Sequence, residues 1–165
     1  MLQKKVCMLG ASYVGKTSLV RRYVHNLFSE KYLTTIGVKI DRKLVSIGQR
    51  EISLVLWDIQ GEDQFAHILP TYIRGASGCL LVADGTRKDT IQTALDLASQ
   101  VSATVGEVPS LLIVNKADLE SEWELMAKDI ESLGQQGWTL IETSAKDGRG
   151  VEKAFMMLAD QMLRP

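Results

Sequence analysis

Residues Gly10 to Thr17 read Gly-Ala-Ser-Tyr-Val-Gly-Lys-Thr, a G-x-x-x-x-G-K-[ST] pattern between the apolar run Val6 to Leu9 and a segment of helical period. The residue types dictate a chemistry. Backbone N–H groups can surround phosphate oxygens only where side chains leave the approach open, and Gly10 and Gly15 supply that freedom. Lys16 brings a cation to β- and γ-phosphates, Thr17 offers a hydroxyl to Mg²⁺, and the start of the following helix adds its partial positive charge. Ser12, Tyr13, Val14, Gly15, Lys16, Thr17 and Ser18 are therefore the candidate phosphate contacts.

Three further motifs carry complementary chemistry. In Asp58-Ile-Gln-Gly61, the carboxylate at a strand end can reach Mg²⁺ through water, and the glycine can present an unobstructed N–H to a γ-phosphate. In Asn115-Lys-Ala-Asp118, the Asp118 carboxylate accepts hydrogen bonds only, which matches the paired donor edge of guanine at N1–H and the 2-amino group. The Lys116 stem can lie over the ring, Asn115 can tie this loop to the phosphate loop, and Leu119 follows directly. In Thr143-Ser-Ala-Lys146, Ala145 can bring a backbone N–H to the guanine 6-oxo group. Ser144 can hold that turn, and Lys146 closes it.

These motifs need elements to hold them. Short apolar runs alternate with segments of helical period: Lys4–Leu9 then Lys16–Leu27, Gly78–Ala83 then Asp89–Ala103, Ser110–Val114 then Glu122–Leu133, and Thr139–Glu142 then Val151–Leu163. Strand-then-helix repetition predicts a mostly parallel sheet of about six strands, covered by helices on both faces. Val38–Ser46 and Glu51–Asp58 flank Ile47-Gly48-Gln49-Arg50 and read as a hairpin, which adds one antiparallel strand at an edge. Ligands of open α/β sheets bind beyond the carboxyl ends of the strands, and all four motifs fall there.

Taken together the motifs resemble those of a Ras-superfamily small GTPase, over nearly the whole chain. Thr35-Ile-Gly-Val38, Trp57-Asp58 and Tyr72-Ile-Arg-Gly-Ala76 most resemble the Rab branch. The resemblance implies the P-loop NTPase fold of small G proteins, a single G domain over residues 1–165, and a GTP-binding switch that hydrolyses GTP to GDP with Mg²⁺. It places Phe28 edge-on to the base, Tyr32 near the phosphates, and Thr35 on Mg²⁺ with Thr17 and Asp58. It sets Lys16, Thr35, Gly61 and residue 62 around the reacting γ-phosphate. It also makes residues 29–40 and 59–75 the switch segments that meet effectors, exchange factors and GTPase-activating proteins, one of which could supply an arginine.

The chain departs from the family at instructive places. The family reads Asp-Thr-Ala-Gly-Gln-Glu where this chain reads Asp58-Ile-Gln-Gly-Glu-Asp63, so Glu62 replaces the glutamine that orients the attacking water. A glutamine amide both accepts and donates, whereas a carboxylate only accepts and its charge opposes the γ-phosphate. Two outcomes are open: a modified, base-like hydrolysis, or hydrolysis so slow that the protein is a GTP-binding interaction module. Tyr13 stands where the family has a small residue, and its ring could cover the phosphates or point outward. Gln60 stands in place of alanine beside the switch glycine. Ile40 replaces an aromatic residue of the Rab-like effector surface, while Trp57 and Tyr72 keep theirs.

Composition bounds the rest. At 165 residues and 45% hydrophobic content, one substantial core is expected. Nineteen basic against twenty acidic side chains give a net charge of −1, which offers no general field for nucleic acid. No apolar stretch approaches the roughly 20 residues of a membrane span, and no secretory leader is evident, so a cytoplasmic location is expected. The tail as given, ending Arg164-Pro165, carries no prenylation motif. Cys7 and Cys79 lie in apolar runs and read as buried thiols. His67 reads as a surface residue, His25 as solvent-exposed or core-edge, Trp123 and Trp138 as packing beneath the base loops, and Met156-Met157 as core filling.

Overall fold

The computed structural model describes residues 1–30, 37–59 and 69–165. The elements in chain order are β1 (Leu2–Leu9), α1 (Lys16–His25), β2 (Val38–Ile47), β3 (Arg50–Ile59), α2 (Leu69–Ile73), β4 (Gly78–Asp84), α3 (Asp89–Val105), β5 (Ser110–Asn115), α4 (Ala127–Gln135), β6 (Leu140–Glu142) and α5 (Val151–Met162), with a 3₁₀ turn at Glu120–Glu122. The six strands form one sheet in the order β2-β3-β1-β4-β5-β6. All neighbours are parallel except β2, which runs antiparallel to β3 at the edge. This is the α/β architecture the motifs required.

Burial explains why these runs are strands. Every residue of β4 is buried, as a central strand with helices on both faces demands, and its sequence is correspondingly apolar without alternation. Alternate residues serve two cores. On one face Met8, Leu56, Leu80 and Ile113 pack against Leu19 and Tyr23 of α1 and Phe155 and Leu158 of α5. On the other, Cys7, Cys79, Leu81 and Leu112 pack against Ile73 of α2, Leu97 of α3 and Leu133 of α4. Cys7 and Cys79 face each other across the β1–β4 pairing as free, fully buried thiols.

Several boundaries differ from the sequence reading, and three of them have a clear local reason. The hairpin closes tighter than expected: Ile47 and Arg50 pair, so only Gly48 and Gln49 turn, with Gly48 in the left-handed region at φ 62°. Helix α1 stops at His25 because Asn26 turns left-handed (φ 54°) and returns its N–H to the Arg22 carbonyl at 3.0 Å. Helix α4 begins at Ala127 rather than Glu122. Trp123 is extended and packs on Gly85, where a Cβ would lie 2.0 Å from the ring, and the Glu124 N–H donates to the Gly85 carbonyl at 2.8 Å. The helix then starts where Asp129 accepts the Met126 N–H at 2.8 Å. Among the described residues no helix is long and apolar enough to cross a membrane.

Helices α1 and α5 are joined by one aromatic contact. The rings of Tyr23 and Phe155 stack with centroids 4.1 Å apart and planes 1° from parallel. Burial, with help from the Glu152 charge, pushes the Tyr23 hydroxyl up to about 12. Replacing Phe155, 2% exposed, by alanine removes this stack and leaves a cavity beneath β1 and β4. Phe155→Ala is expected to cost about 3–5 kcal/mol in urea-unfolding experiments.

Candidate functional site

The loop after β1 is shaped by backbone that only certain residues tolerate. Gly10 has φ 152°, and a Cβ there would lie 2.1 Å from the Val82 carbonyl oxygen of β4. Gly15, at φ 101° and ψ 25°, precedes the first residue of α1, and its Cβ would lie 2.3 Å from the Asn115 amide nitrogen. Both positions are closed to any side chain. Lys16, 7% exposed, folds its ammonium onto the carbonyls of Gly10 at 2.7 Å and Ala11 at 3.0 Å. The cation thus sits within the bend whose N–H groups would meet phosphate. Tyr13 crowns the loop, 56% exposed and itself left-handed at φ 65°.

Thr17 and Asp58 meet at the mouth of this loop. The Thr17 hydroxyl donates to Asp58 Oδ2 at 2.5 Å, bringing a hydroxyl from α1 and a buried carboxylate from β3 to one point. Two oxygen donors, one anionic, beside a phosphate loop are a donor set that fits the hard cation Mg²⁺. Thr17 and Asp58 would hold it.

The base-facing rim is built by β5 and the turn after β6. The Asn115 amide donates to the Val14 carbonyl at 3.0 Å, while its oxygen accepts from the Thr143 hydroxyl at 3.0 Å and the Ala145 N–H at 3.3 Å. One buried side chain therefore links the phosphate loop to the Thr143–Lys146 turn. Ala145 N–H, expected to meet a guanine 6-oxo group, here faces Asn115 at the long end of hydrogen-bond range. Ser144 donates its hydroxyl to Asp118 Oδ1 at 2.8 Å, which fixes the rotation of the carboxylate. Lys116 is left-handed at φ 72°, and this twist carries the chain from β5 into Asp118 and Leu119. Lys146 is exposed and pairs with Glu30 at 3.0 Å, which raises its pKa. Phe28 is 36% exposed on the segment that follows α1.

Sequence reasoning missed three residues. Asp84, 1% exposed at the end of β4, accepts from the N–H and hydroxyl of Thr86 at 2.8 and 2.7 Å and pairs with Lys116 at 2.9 Å and Arg87 at 3.2 Å. Arg87 continues to the Ser12 carbonyl at 2.9 Å, so the phosphate loop is held from a third side. The signal for Asp84 was present: a carboxylate closing a wholly apolar run, on the same rim as the four motifs. Arg22 of α1 reaches the carbonyls of Ala145 and Lys146, and its spacing in a helix gave no hint of this.

Tyr32, Thr35, Gly61 and Glu62 lie outside the described residues, as do Gln60 and His67. On the edge hairpin, Ile40 is 46% exposed and pairs with Trp57 of β3, over whose ring the Lys5 ammonium sits 3.6 Å from the centroid.

Comparison with known proteins identifies the family. A sequence model described as the Ras family covers residues 5–164. Ras-related protein Rab-21 of Mus musculus and that of Homo sapiens are each 36% identical over 161 residues, spanning 96% of this chain and 72% of theirs. Ras-related protein Rab-7L1 of Homo sapiens is 37% identical over 170 residues, spanning 97% of this chain and 82% of its own.

The Asp84 cluster makes a pH prediction. Burial pushes its carboxyl up, but the Thr86 hydrogen bonds and the Lys116 partner outweigh burial and hold the pKa below its ordinary 3.8. A lowered carboxyl stabilises the fold fully above that ordinary value, and the contribution is lost as acid titrates through the lowered one. Asp84→Asn, which leaves the Lys116 and Arg87 cations without their anion, is expected to cost about 2 kcal/mol at neutral pH. The same substitution should flatten the fall in stability below about pH 4, measured by urea unfolding across pH.

Proposed function

The chain belongs to the Ras family of small GTPases, and from that premise we propose one domain, residues 1–165, that binds GTP and GDP with Mg²⁺ and hydrolyses the γ-phosphoanhydride. The observation that carries this reading is the Asn115 network, which ties the phosphate loop at Val14 to the Thr143–Lys146 turn, from which Ser144 reaches Asp118, while Thr17 and Asp58 meet beside the loop. The loop N–H groups and Lys16 would neutralise phosphate oxygens, Lys16 exchanging the Gly10 and Ala11 carbonyls for them. Mg²⁺, when bound, supplies electrostatic stabilisation of the triphosphate as charge shifts toward the leaving group. Asp118 would accept from guanine N1–H and the 2-amino group, with Ala145 at the 6-oxo side and Phe28 at the ring edge.

Thr35, Gly61 and Glu62 are assigned to the γ-phosphate and its attacking water. Water adds to the γ-phosphorus, the bond to the β–γ bridging oxygen breaks, and the water's proton leaves toward phosphate or toward Glu62. The product that matters is a conformation: residues 29–40 and 59–75 would present one surface with GTP and another with GDP, and exchange, activating and effector proteins would read it. A partner arginine would speed the step. A second reading is favoured by one observation, the Glu62 carboxylate where the family has glutamine: a GTP-binding interaction module that does not turn its nucleotide over.

Single-turnover assays with Mg²⁺ and GTP separate the two. Phosphate release that is lost in Glu62→Ala supports the enzyme, whereas GTP remaining intact over hours supports the module. Asp118→Asn should weaken GTP binding by about 100-fold through loss of charge-assisted hydrogen bonds and favour xanthine nucleotides instead. Unchanged GTP affinity in a fluorescent-nucleotide titration would overturn the base assignment.

A further inference from the structure

We infer that Arg22 is a positioning residue for guanine recognition, acting on Asp118 through the 144–147 turn. The inference rests on reading the site as a guanine-nucleotide pocket. Arg22 lies on the second turn of α1, the helix that starts at the phosphate loop, and its guanidinium serves three acceptors at once. Nε donates to the Ala145 carbonyl at 2.7 Å, one terminal nitrogen donates to the Lys146 carbonyl, and the other donates to Asn26 Oδ1 at 3.1 Å. A planar fork with separated donors can do this; a lysine ammonium, a single point at the end of a flexible stem, cannot span the same set.

The reach to Asp118 follows from peptide planarity. In a trans peptide the C=O and the next N–H point in opposite directions, so holding the Lys146 carbonyl toward α1 turns the Asp147 N–H the other way. That N–H donates to Ser144 Oγ at 3.1 Å, and Ser144 Oγ donates to Asp118 Oδ1 at 2.8 Å. One relay thus runs from the guanidinium through a peptide plane and a hydroxyl to the carboxylate that would read the base. The third bond holds the other side of the pocket. Asn26 is the left-handed cap at which α1 ends, two residues before Phe28, and Arg22 grips it by side chain as well as by its own carbonyl. Glu30, on the same exit, meets Lys146 at 3.0 Å. The elements that would flank guanine from two directions are therefore tied together by Arg22, with the Lys146–Glu30 pair beside it.

The test compares GDP with IDP, which lacks only the 2-amino group that Asp118 would accept from. Arg22→Lys and Arg22→Met are each expected to release GDP about tenfold faster, the loss of one or two charge-assisted bonds' worth of order, and to narrow the preference for GDP over IDP. In a Ser144→Ala background, where the relay is already cut, Arg22→Lys should no longer change that preference. Equal weakening of GDP and IDP with a lowered melting temperature would mean a structural role alone and would overturn the inference. So would wild-type behaviour of Arg22→Lys, which would show that charge suffices. Wild-type protein that retains neither nucleotide would overturn the pocket reading and this inference with it; wild-type binding with unaltered variants overturns only this one.

Discussion

The site depends on a single carboxamide. Asn115 ends β5 at 2% exposure, and its amide spends its donor on the Val14 carbonyl and its acceptor on the Thr143 hydroxyl and Ala145 N–H. A primary amide suits this place because it carries donor and acceptor on one rigid plane and no charge to desolvate. A carboxylate would repel the Val14 carbonyl, and a hydrophobe would orphan buried polar groups on both loops. The same atom dictates its neighbour. Gly15 is required as much by the Asn115 nitrogen, 2.3 Å from where a Cβ would be, as by its own φ of 101°. Two motifs a hundred residues apart in the chain are thus one steric and polar unit.

A second layer of order is electrostatic. Asp84 is buried where an unpaired carboxylate would be costly, and four donors from Thr86, Arg87 and Lys116 compensate it. That arrangement sets the ammonium of Lys116 to one side, leaving the stem as the part that can lie over a base. It also gives Arg87 a fixed anchor from which to hold the Ser12 carbonyl. The phosphate loop is consequently gripped at Ser12 by Arg87 and at Val14 by Asn115, with Tyr13 projecting between the two fixed carbonyls. Tyr13 itself is left-handed and more than half exposed there.

How much of this the sequence made legible divides along physical lines. The strands were readable because β4 and β5 are buried on both faces and carry unbroken apolar runs at Leu80–Ala83 and Leu111–Val114, and because glycines mark close backbone approach at Gly10 and Gly15. Asn115, Asp118, Ser144, Thr17 and Asp58 were readable because each motif is local and its residue types leave few chemical options. Contacts formed by long side chains across the fold were not. Arg22 looks like any basic residue on a helix, and Arg87 like any turn residue, until packing brings them to carbonyls 123 and 75 positions away. The late start of α4 has the same origin. Helical period runs through Glu122 to Met126, but the Trp123 ring and the Gly85 carbonyl take that stretch for tertiary packing.

The described groups that would bind nucleotide are anchored by the sheet. Asn115, Asp84 and Asp58 sit on strands whose other residues fill the two cores, so their positions are fixed by burial. Thr35, Gly61 and Glu62 lie outside the described residues. On the proposed reading, the groups that would bind nucleotide are held by the strands whichever residue stands at position 62. The charge at that position bears on the barrier through its distance to the γ-phosphate, and a carboxylate there opposes the approach of a second anion unless it takes up a proton from the attacking water.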